Sequence, residues 1–514
     1  MDLVGEKCKS SLSDSKECKF SSNVNSEGQL GKGNLITKLS SSGSEVRDKL
    51  KPKYSGKMSA LELKFNRNEH VFQNGEKVDK SSVFNKVIKS SSECCEVKQF
   101  GKMSIKEMVE LFEIVSGSGL PNYQGCRVQL PASKNLNMDL WRKRLVSYED
   151  KIVCEFLEFG FPLDFDRTRK LNYEERRNHK GARDFPEFIR QYLHRECENL
   201  RIVGPFNKNP FSVPIMVSPM NTVPKANDDE RRVIVDLSWP HGFSVNDGIS
   251  KDHYLGEVIN LHYASVASVC QMVLNVGVGS VIYKRDLRRA YRQIPVDPRD
   301  YCYLGYNWEN EFYFDTVLCM GQRNAAFACS RTTKAVMYMH EAGGHMGTSY
   351  LDDLIGVSPA EEGIQAYDSL GVLLSELGLV ENFKKACPPS TKQLVLGVII
   401  DTVNGTVSVP SDRMEEISEL ILIWKRKRKS NKVDLQSLIG KLQFVSKCVQ
   451  QSRVFLNRLL DTLRSFSASK TKITLSESFK KDIQWWRLFM SEFNGVSYIP
   501  PMIWYEPGRS LLHR

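Results

Sequence analysis

The chain has 514 residues, with 72 Lys and Arg against 61 Asp and Glu, for a formal net charge of +11. That length permits a sizeable core and two to four domains, and the basic balance suits a protein that tracks a phosphate backbone. The start, Met1-Asp-Leu-Val-Gly-Glu-Lys7, carries no apolar signal core, and no apolar run is long enough to span a bilayer, so neither secretion nor membrane embedding is expected.

Residues 1–103 are rich in Ser, Lys, Asn and Glu, as in Ser40-Ser-Ser-Gly-Ser44 and Ser90-Ser-Ser-Glu93. So little apolar surface does not offset chain entropy, and a disordered tail is expected. From 104 to 204 the pattern is mostly helical. Trp141, Tyr148, Phe156, Leu157, Phe159 and Phe161 mark apolar faces. Phe185, Phe188, Ile189, Tyr192 and Leu193 recur at helical spacing between Asp184 and Asn199. His179 has no catalytic partner at a suitable spacing and reads as a structural hydrogen-bonding residue.

Residues 205–408 mix strand-like and helical pieces. Pro224-Lys225 and Arg231-Arg232 flank Asn227–Asp229, a turn signal, and a hairpin there aims Lys225 and Arg232 the same way. Arg232, Ile234 and Asp236 share one strand face by the period of two. Gly279 to Asp286 reads as a strand ending in an acid, and Phe312 to Leu318 is strand-like. Asn324 to His340 lacks Gly and Pro and reads as a helix that Gly343 and Gly344 stop.

The sharpest chemical signal lies in Ser349–Val357. Tyr350-Leu-Asp-Asp353 sets two adjacent carboxylates in an apolar stretch, and charge buried that way is expensive unless it binds a metal or finds a partner. The pattern is a strand, a tight acidic turn and a second strand, Leu354–Val357; an ordinary Asp-Asp turn is the plain alternative. Asp286 stands 66 positions before Asp352 (352 − 286), so only tertiary structure brings them together. A sheet carrying Asp286 on one strand and Asp352 and Asp353 on a neighbouring hairpin makes a three-carboxylate site. Such hard oxygen ligands suit Mg²⁺, with Mn²⁺ as a substitute. Two such ions clamp the attacking and leaving oxygens of an in-line phosphoryl displacement.

Residues 409–470 read as three short helices. Ser411 or Asp412 can cap the first, which has Glu415 and Glu416 in its first turn and ends in Lys425-Arg-Lys-Arg-Lys429. Asp434 can cap the second, whose apolar stripe is Leu435, Leu438, Ile439, Leu442 and Val445. The third runs from Arg453 to Leu463. Thirteen cysteines are scattered without CxxC pairs or histidines at zinc spacing, which points to reduced thiols in the cytoplasm or nucleus.

Together these motifs resemble reverse transcriptases, most closely those of DIRS-type tyrosine-recombinase retrotransposons, over roughly residues 140–500. Tyr350-Leu-Asp-Asp353 is similar to the family's YxDD motif, and Asp286 with Ala290-Tyr291 to its first catalytic motif. Leu318 to Phe327 resembles the loop and helix that contact template and nucleotide. Asp236 to Gly248 is similar to a pattern found mainly in the DIRS-type subgroup. Their order and spacing make the match specific.

The resemblance implies an α+β right-hand polymerase, with fingers and an antiparallel palm sheet over 205–408 and a helical thumb over 409–470. From 471 to 514 it implies a connection-like segment, truncated before any ribonuclease H domain. The implied activity is RNA-directed DNA synthesis: nucleotidyl transfer from dNTPs to a primer 3′-hydroxyl on an RNA or DNA template, with Asp286, Asp352 and Asp353 holding two Mg²⁺ ions. Lys225 and Arg232 would hold the triphosphate, Arg as a rigid fork and Lys as a mobile point charge. Tyr291 would exclude a 2′-hydroxyl, and Gly321 would let the backbone approach the nucleotide. Tyr350 would contact substrate, and Lys385, next to Lys384, would sit near the departing pyrophosphate. Leu396 and Gly397, within Val395–Val398, would form the primer grip. The basic run 425–429 would ride on the template–primer backbone. Ribonuclease H and recombinase products of the same element are the implied further partners.

Some positions depart from the family. Cys319 and Ala326 stand where proline is usual, Arg289 where an acid is common, and Met320 in place of Phe or Gln. These departures keep open a second reading, a catalytically degenerate retroelement-derived protein that binds nucleic acid without copying it. An RNA-dependent RNA polymerase shares the palm, but Tyr291 argues against it.

Overall fold

A computed structural model of the chain describes residues 104–169, 177–225, 230–466 and 471–499. The expected tail of 1–103, the Asn227–Asp229 turn and residues 500–514 lie outside the described residues. The chain divides into two units, Phe100–Pro224 with Asp229–Arg514, and Met1–Gln99 with Lys225–Asp228. Lys225 is the only described residue of the second unit, and the architecture below is that of the first.

Helices and antiparallel sheets are mixed along the chain. The strand ending in Asp286 forms as Val281–Asp286. It lies inside a four-stranded sheet with the order Cys387–Ser390, Val281–Asp286, Asp353–Ser358, Met346–Tyr350. Between the two middle strands the register is unbroken, from Asp286 opposite Asp353 to Val281 opposite Ser358.

Alternation along these strands sorts the side chains onto two faces. Ile282, Ile355 and Val357 enter one core, together with Val269 and Val273 of the helix Val266–Val276. Tyr283 and Leu354 enter the other, with Val336 of the helix Ala325–Ala342 and Leu370 of the helix Gly363–Glu376. By the same parity Asp286 and Asp353 share the Ile282 face, at the ends of their strands. A one-residue slip would carry the acids to the opposite face. It would also pull Ile282, Ile355 and Val357 from their core, at roughly 1.5–3 kcal/mol for each side chain.

Local signals explain these elements. The helix Ala325–Ala342 ends at Gly343, and Gly344 follows with φ 89°. Gly356 faces Tyr283 so closely that an added Cβ would lie 2.0 Å from the ring's Cζ. Tyr283 in turn shares a 2.8 Å hydrogen bond with His340 Nε2.

A second four-stranded sheet has the order Lys392–Val395, Val398–Asp401, Thr406–Ser408, Val496–Tyr498. The helices Ser411–Arg426, Lys432–Cys448, Asn457–Arg464 and Glu477–Glu492 pack with it around Trp424, Leu438, Leu459, Phe479 and Trp486. The part of 471–514 that is described therefore shares the core of the helices before it.

The caps differ from those expected. Pro410, with no side-chain cap, precedes the first of these helices. Asn431, in extended backbone, caps the second: its Oδ1 accepts the Asp434 N–H at 2.7 Å, because Asp434 already stands inside the helix. The third begins as a 3-10 turn, Gln450–Leu456, and is α-helical only from Asn457.

Upstream, Met220–Pro224 and Arg231–Val235 form the expected hairpin, with Val223 opposite Arg232. The helical region before it is joined to the main core: Trp141, fully buried, donates from Nε1 to the Leu377 carbonyl at 3.0 Å. Among the described residues no helix is long and apolar enough to cross a membrane.

Candidate active site

Asp286 and Asp353 are direct cross-strand partners. Tyr350 faces Asp353 from the other side of the hairpin, which leaves Leu351 and Asp352 as a two-residue turn. Leu351 takes φ 54°, the left-handed backbone that such tight hairpins require. The corner is tied to the first strand, since the Asp352 carbonyl accepts the Leu287 N–H at 3.0 Å. All three acids singled out in the sequence therefore meet at one end of the sheet. Asp286 is only 4% exposed, and Asp352 and Asp353 are half-buried. Burial, and then the Asp286 charge, raise the Asp352 carboxyl above its usual range. Burial, Asp352 and Asp286 push Asp353 up to about 6.

The segment 380–385 supplies the partners of Asp286. Asn382 donates its N–H to the Asp286 carbonyl at 2.8 Å and its Nδ2 to Oδ1 at 3.1 Å. Lys385 Nζ donates to Oδ2 at 3.0 Å. Burial pulls the Lys385 ammonium down, but its bond to Asp286 and the charges of Asp286, Asp352 and Asp353 prevail and raise it. The segment is anchored by Glu381, whose two oxygens take Arg285 Nη1 at 2.8 and 2.7 Å. Asn382 and Glu381 carried no signal in the sequence; only the chain's return beside Asp286 gives them a role.

Among the described residues no three His, Cys, Asp or Glu side chains stand close enough to hold a metal by themselves. Mg²⁺ does not require such a cage, because it retains waters and binds through one or two carboxylates plus phosphate oxygens. The donors here are oxygen only, and burial first, then the charge of neighbouring acids, holds Asp352 and Asp353 above the ordinary carboxyl range, so the set fits a dication.

Two tyrosines named from the sequence stand beside the acids. Tyr291 lies half-buried in the 3-10 turn Ala290–Gln293. Burial first, then the neighbouring Cys329, Asp352, Tyr263 and Tyr350, raise its hydroxyl above the usual range. The Tyr350 ring packs 5.3 Å from that of Tyr263. Sequence reasoning missed Tyr263; the adjacent Ala264 N–H reaches the Ser349 carbonyl and fastens this segment to the hairpin.

The other named residues lie on separate elements. Gly321 has φ 93°, and its carbonyl accepts Asn246 Nδ2 at 2.8 Å. Asn246, 5% exposed, also accepts the Arg323 N–H at 2.8 Å, so the Asp236–Gly248 motif holds the Gly321 loop. Leu396 and Gly397 form the turn between Val395 and Val398, with φ 49° and 85°. Lys447 Nζ donates to the Leu396 carbonyl at 2.8 Å, and a Cβ on Gly397 would meet the Phe444 ring at 2.4 Å. Arg231, beside Arg232, is bound to Thr222 Oγ1 at 2.8 Å and lies 3.6 Å over the Phe185 ring. Arg232 points to the opposite strand face. Lys225 is exposed, follows Pro224 directly and belongs to the second unit. His179 Nε2 lies 3.0 Å from Asp236 Oδ2, a hydrogen-bond distance. Two of the unusual residues have internal partners: Arg289 Nη1 binds Glu196 Oε1 at 2.8 Å, and Cys319 Sγ lies 2.9 Å from Asp315 Oδ2.

No protein-family model and no curated protein matches the chain. Among solved structures, a foamy viral protease-reverse transcriptase dRH in complex with ds DNA is similar at 14% identity and a TM-score of 0.46, over 78% of this chain and 62% of that one. The foamy viral protease-reverse transcriptase in complex with an RNA/DNA hybrid is similar at 16% identity and a TM-score of 0.45, over 71% of this chain and 47% of that one. The same protein in complex with dsDNA gives 14% identity and a TM-score of 0.46, over 77% and 73%. The chain thus spans less than two thirds of the length of the first two structures.

Proposed function

We propose that this chain is an RNA-directed DNA polymerase of a DIRS-type retrotransposon, built as fingers, palm and thumb, that adds dNTPs to a primer 3′-hydroxyl on an RNA or DNA template. The observation that supports this reading best is the strand register that sets Asp286 opposite Asp353 while the hairpin corner delivers Asp352.

In this reading Asp286, Asp352 and Asp353 hold two Mg²⁺ ions, for which Mn²⁺ can substitute. Once bound, the ions lower the pKa of the primer hydroxyl and neutralise charge on the phosphates. Lys385, kept protonated by the acids, stands ready to neutralise or protonate the departing pyrophosphate. Lys225 and Arg232 hold the triphosphate, and Tyr291 bars a 2′-hydroxyl. Tyr350 contacts substrate, Gly321 admits the nucleotide, and the Leu396-Gly397 turn, braced by Lys447, sets the primer end. Catalysis is then positioning plus electrostatic stabilisation. Other products of the same element are its proposed partners, in cytoplasm or nucleus.

Primer extension on an RNA template with dNTPs tests the reading. Wild type should extend and Asp352→Asn should not; equal extension by both rejects it. One observation favours the degenerate alternative: Asp286 is already paired with Lys385. Salt-sensitive duplex binding by wild type without any extension would select that alternative.

A further inference from the structure

The turn that carries Tyr291 and the loop that carries Gly321 are joined beneath their surface by a line of four buried side chains, Glu196, Arg292, Asp315 and Cys319. Arg292 follows Tyr291 directly in the 3-10 turn Ala290–Gln293. Its Nε donates to Glu196 Oε2 at 3.1 Å, at the end of the helix Pro186–Glu198, and its Nη1 stands 2.5 Å from Asp315 Oδ1. Asp315 closes the strand Glu311–Asp315, and its other oxygen, Oδ2, accepts the Cys319 thiol at 2.9 Å. Met320 and Gly321, the next two residues, are exposed, so Cys319 is the point where this loop enters the interior.

Backbone bonds set the two segments side by side but stop short of the loop. The Val296 N–H reaches the Thr316 carbonyl and the Leu318 N–H the Ile294 carbonyl, both at 2.9 Å. Beyond Leu318 side chains take over. The Cys319 N–H donates to Gln322 Oε1 at 3.3 Å, and the Gln322 N–H returns to the Cys319 carbonyl at 3.2 Å, which closes the loop on itself. The thiol then ties this closed loop to the Arg292–Asp315 pair. Burial first, then the Asp315 charge, push the thiol well above its ordinary range, so it keeps its proton and donates. A proline at 319, usual in the family that the chain resembles, would offer neither the thiol nor the N–H. A buried polar network with its members partnered is rigid, and removing one donor leaves a buried acceptor without its bond.

We propose that Cys319 is a positioning residue: through Asp315 and Arg292 its thiol holds the Gly321 loop against the turn that carries Tyr291, so that these two walls of the candidate nucleotide site move as one. The consequence for synthesis rests on the polymerase reading; the tie itself does not.

Hydrogen exchange of the full chain, read by mass spectrometry without any substrate, tests the tie. Cys319→Ala should speed exchange of the Leu318 and Gln322 amides and, across the gap, of the Arg292 and Ile294 amides. Each should gain about tenfold, the scale of one hydrogen bond to a charged group. Cys319→Ser keeps a donor and should stay within about threefold of wild type. Cys319→Val, closer to cysteine in volume and likewise without a donor, takes the place of Cys319→Ala if that variant does not fold. Faster exchange confined to 318–322, or spread evenly over the chain, overturns the proposal, as does a serine variant as loose as alanine. Primer extension supplies the second arm. Cys319→Ala should raise KM for dNTP about tenfold with kcat within about twofold, and Cys319→Ser should restore KM. A wild type that does not extend rejects the polymerase reading, while exchange still judges the tie. A wild type that extends, with KM unchanged in Cys319→Ala, overturns the proposal alone.

Discussion

Lys385 holds its Nζ 3.0 Å from Asp286 Oδ2, so this cation occupies the side of the carboxylate that a divalent ion would also seek. In the proposed reading, lysine and metal would therefore compete. Lys385→Ala should lower the Mg²⁺ concentration needed for half-maximal primer extension by several-fold. The same change should cut the maximal rate by about 10²-fold or more if the ammonium serves the departing pyrophosphate. A Mg²⁺ titration of both proteins checks the split. A rate loss without a shift in Mg²⁺ demand would mean that the lysine does not compete with the metal.

The raised Asp353 predicts a particular pH dependence. Its folded value, about 6, lies above the value of a free carboxyl, so the folded state holds this proton more firmly than the unfolded chain does. Its contribution to stability is thus present at low pH and is lost as pH rises from about 4 through about 6. Without divalent metal, the melting temperature should carry a falling component across that window. Asp353→Asn should remove that component and melt higher than wild type at pH 7. Added Mg²⁺ should raise the melting temperature more at pH 7 than at pH 5. Thermal scans at fixed ionic strength measure all three effects.

Tyr291 sits beside Asp352 and Tyr350. If its ring fills the space beneath the sugar, Tyr291→Val should admit ribonucleotides. The preference for dNTP over rNTP, as a ratio of kcat/KM, should fall by about 10²-fold, the scale of a steric discrimination of one hydroxyl. Single-nucleotide incorporation with each substrate decides it. An unchanged ratio would leave Tyr291 as a core aromatic.

Asn246 joins two segments that look unrelated in the sequence. Asn246→Ala strips the Gly321 carbonyl and the Arg323 N–H of their partner and should cost about 1–3 kcal/mol of stability. Because the Gly321 loop loses its brace, KM for dNTP should rise more than kcat falls. Chemical denaturation and steady-state extension report the two effects separately.

Gly356 tests the sheet itself. An alanine there would press on the Tyr283 ring and should destabilise the chain by about 1–3 kcal/mol, with extension falling as the acidic strands shift. Tyr283→Phe keeps the ring but removes the hydroxyl bonded to His340, so the double variant should show little relief.

Local chemistry made several elements legible in the residue order. The strand before Asp286, the acidic turn at Leu351-Asp352, the helix stopped by Gly343 and the apolar stripe from Leu435 to Val445 are each written in a short period or a turn residue. The caps at Pro410 and Asn431 were misread because Ser411, Asp412 and Asp434 are all good capping residues, and only the backbone path selects among neighbours. Tertiary structure alone decided the rest. Lys385 and Asp286 are 99 residues apart, Arg289 and Glu196 are 93, and Asn246 and Gly321 are 75. No local rule reaches that far. Which strands become neighbours, and in which register, depends on how Ile282, Ile355 and Val357 are buried together, and that packing carries Asp286 opposite Asp353.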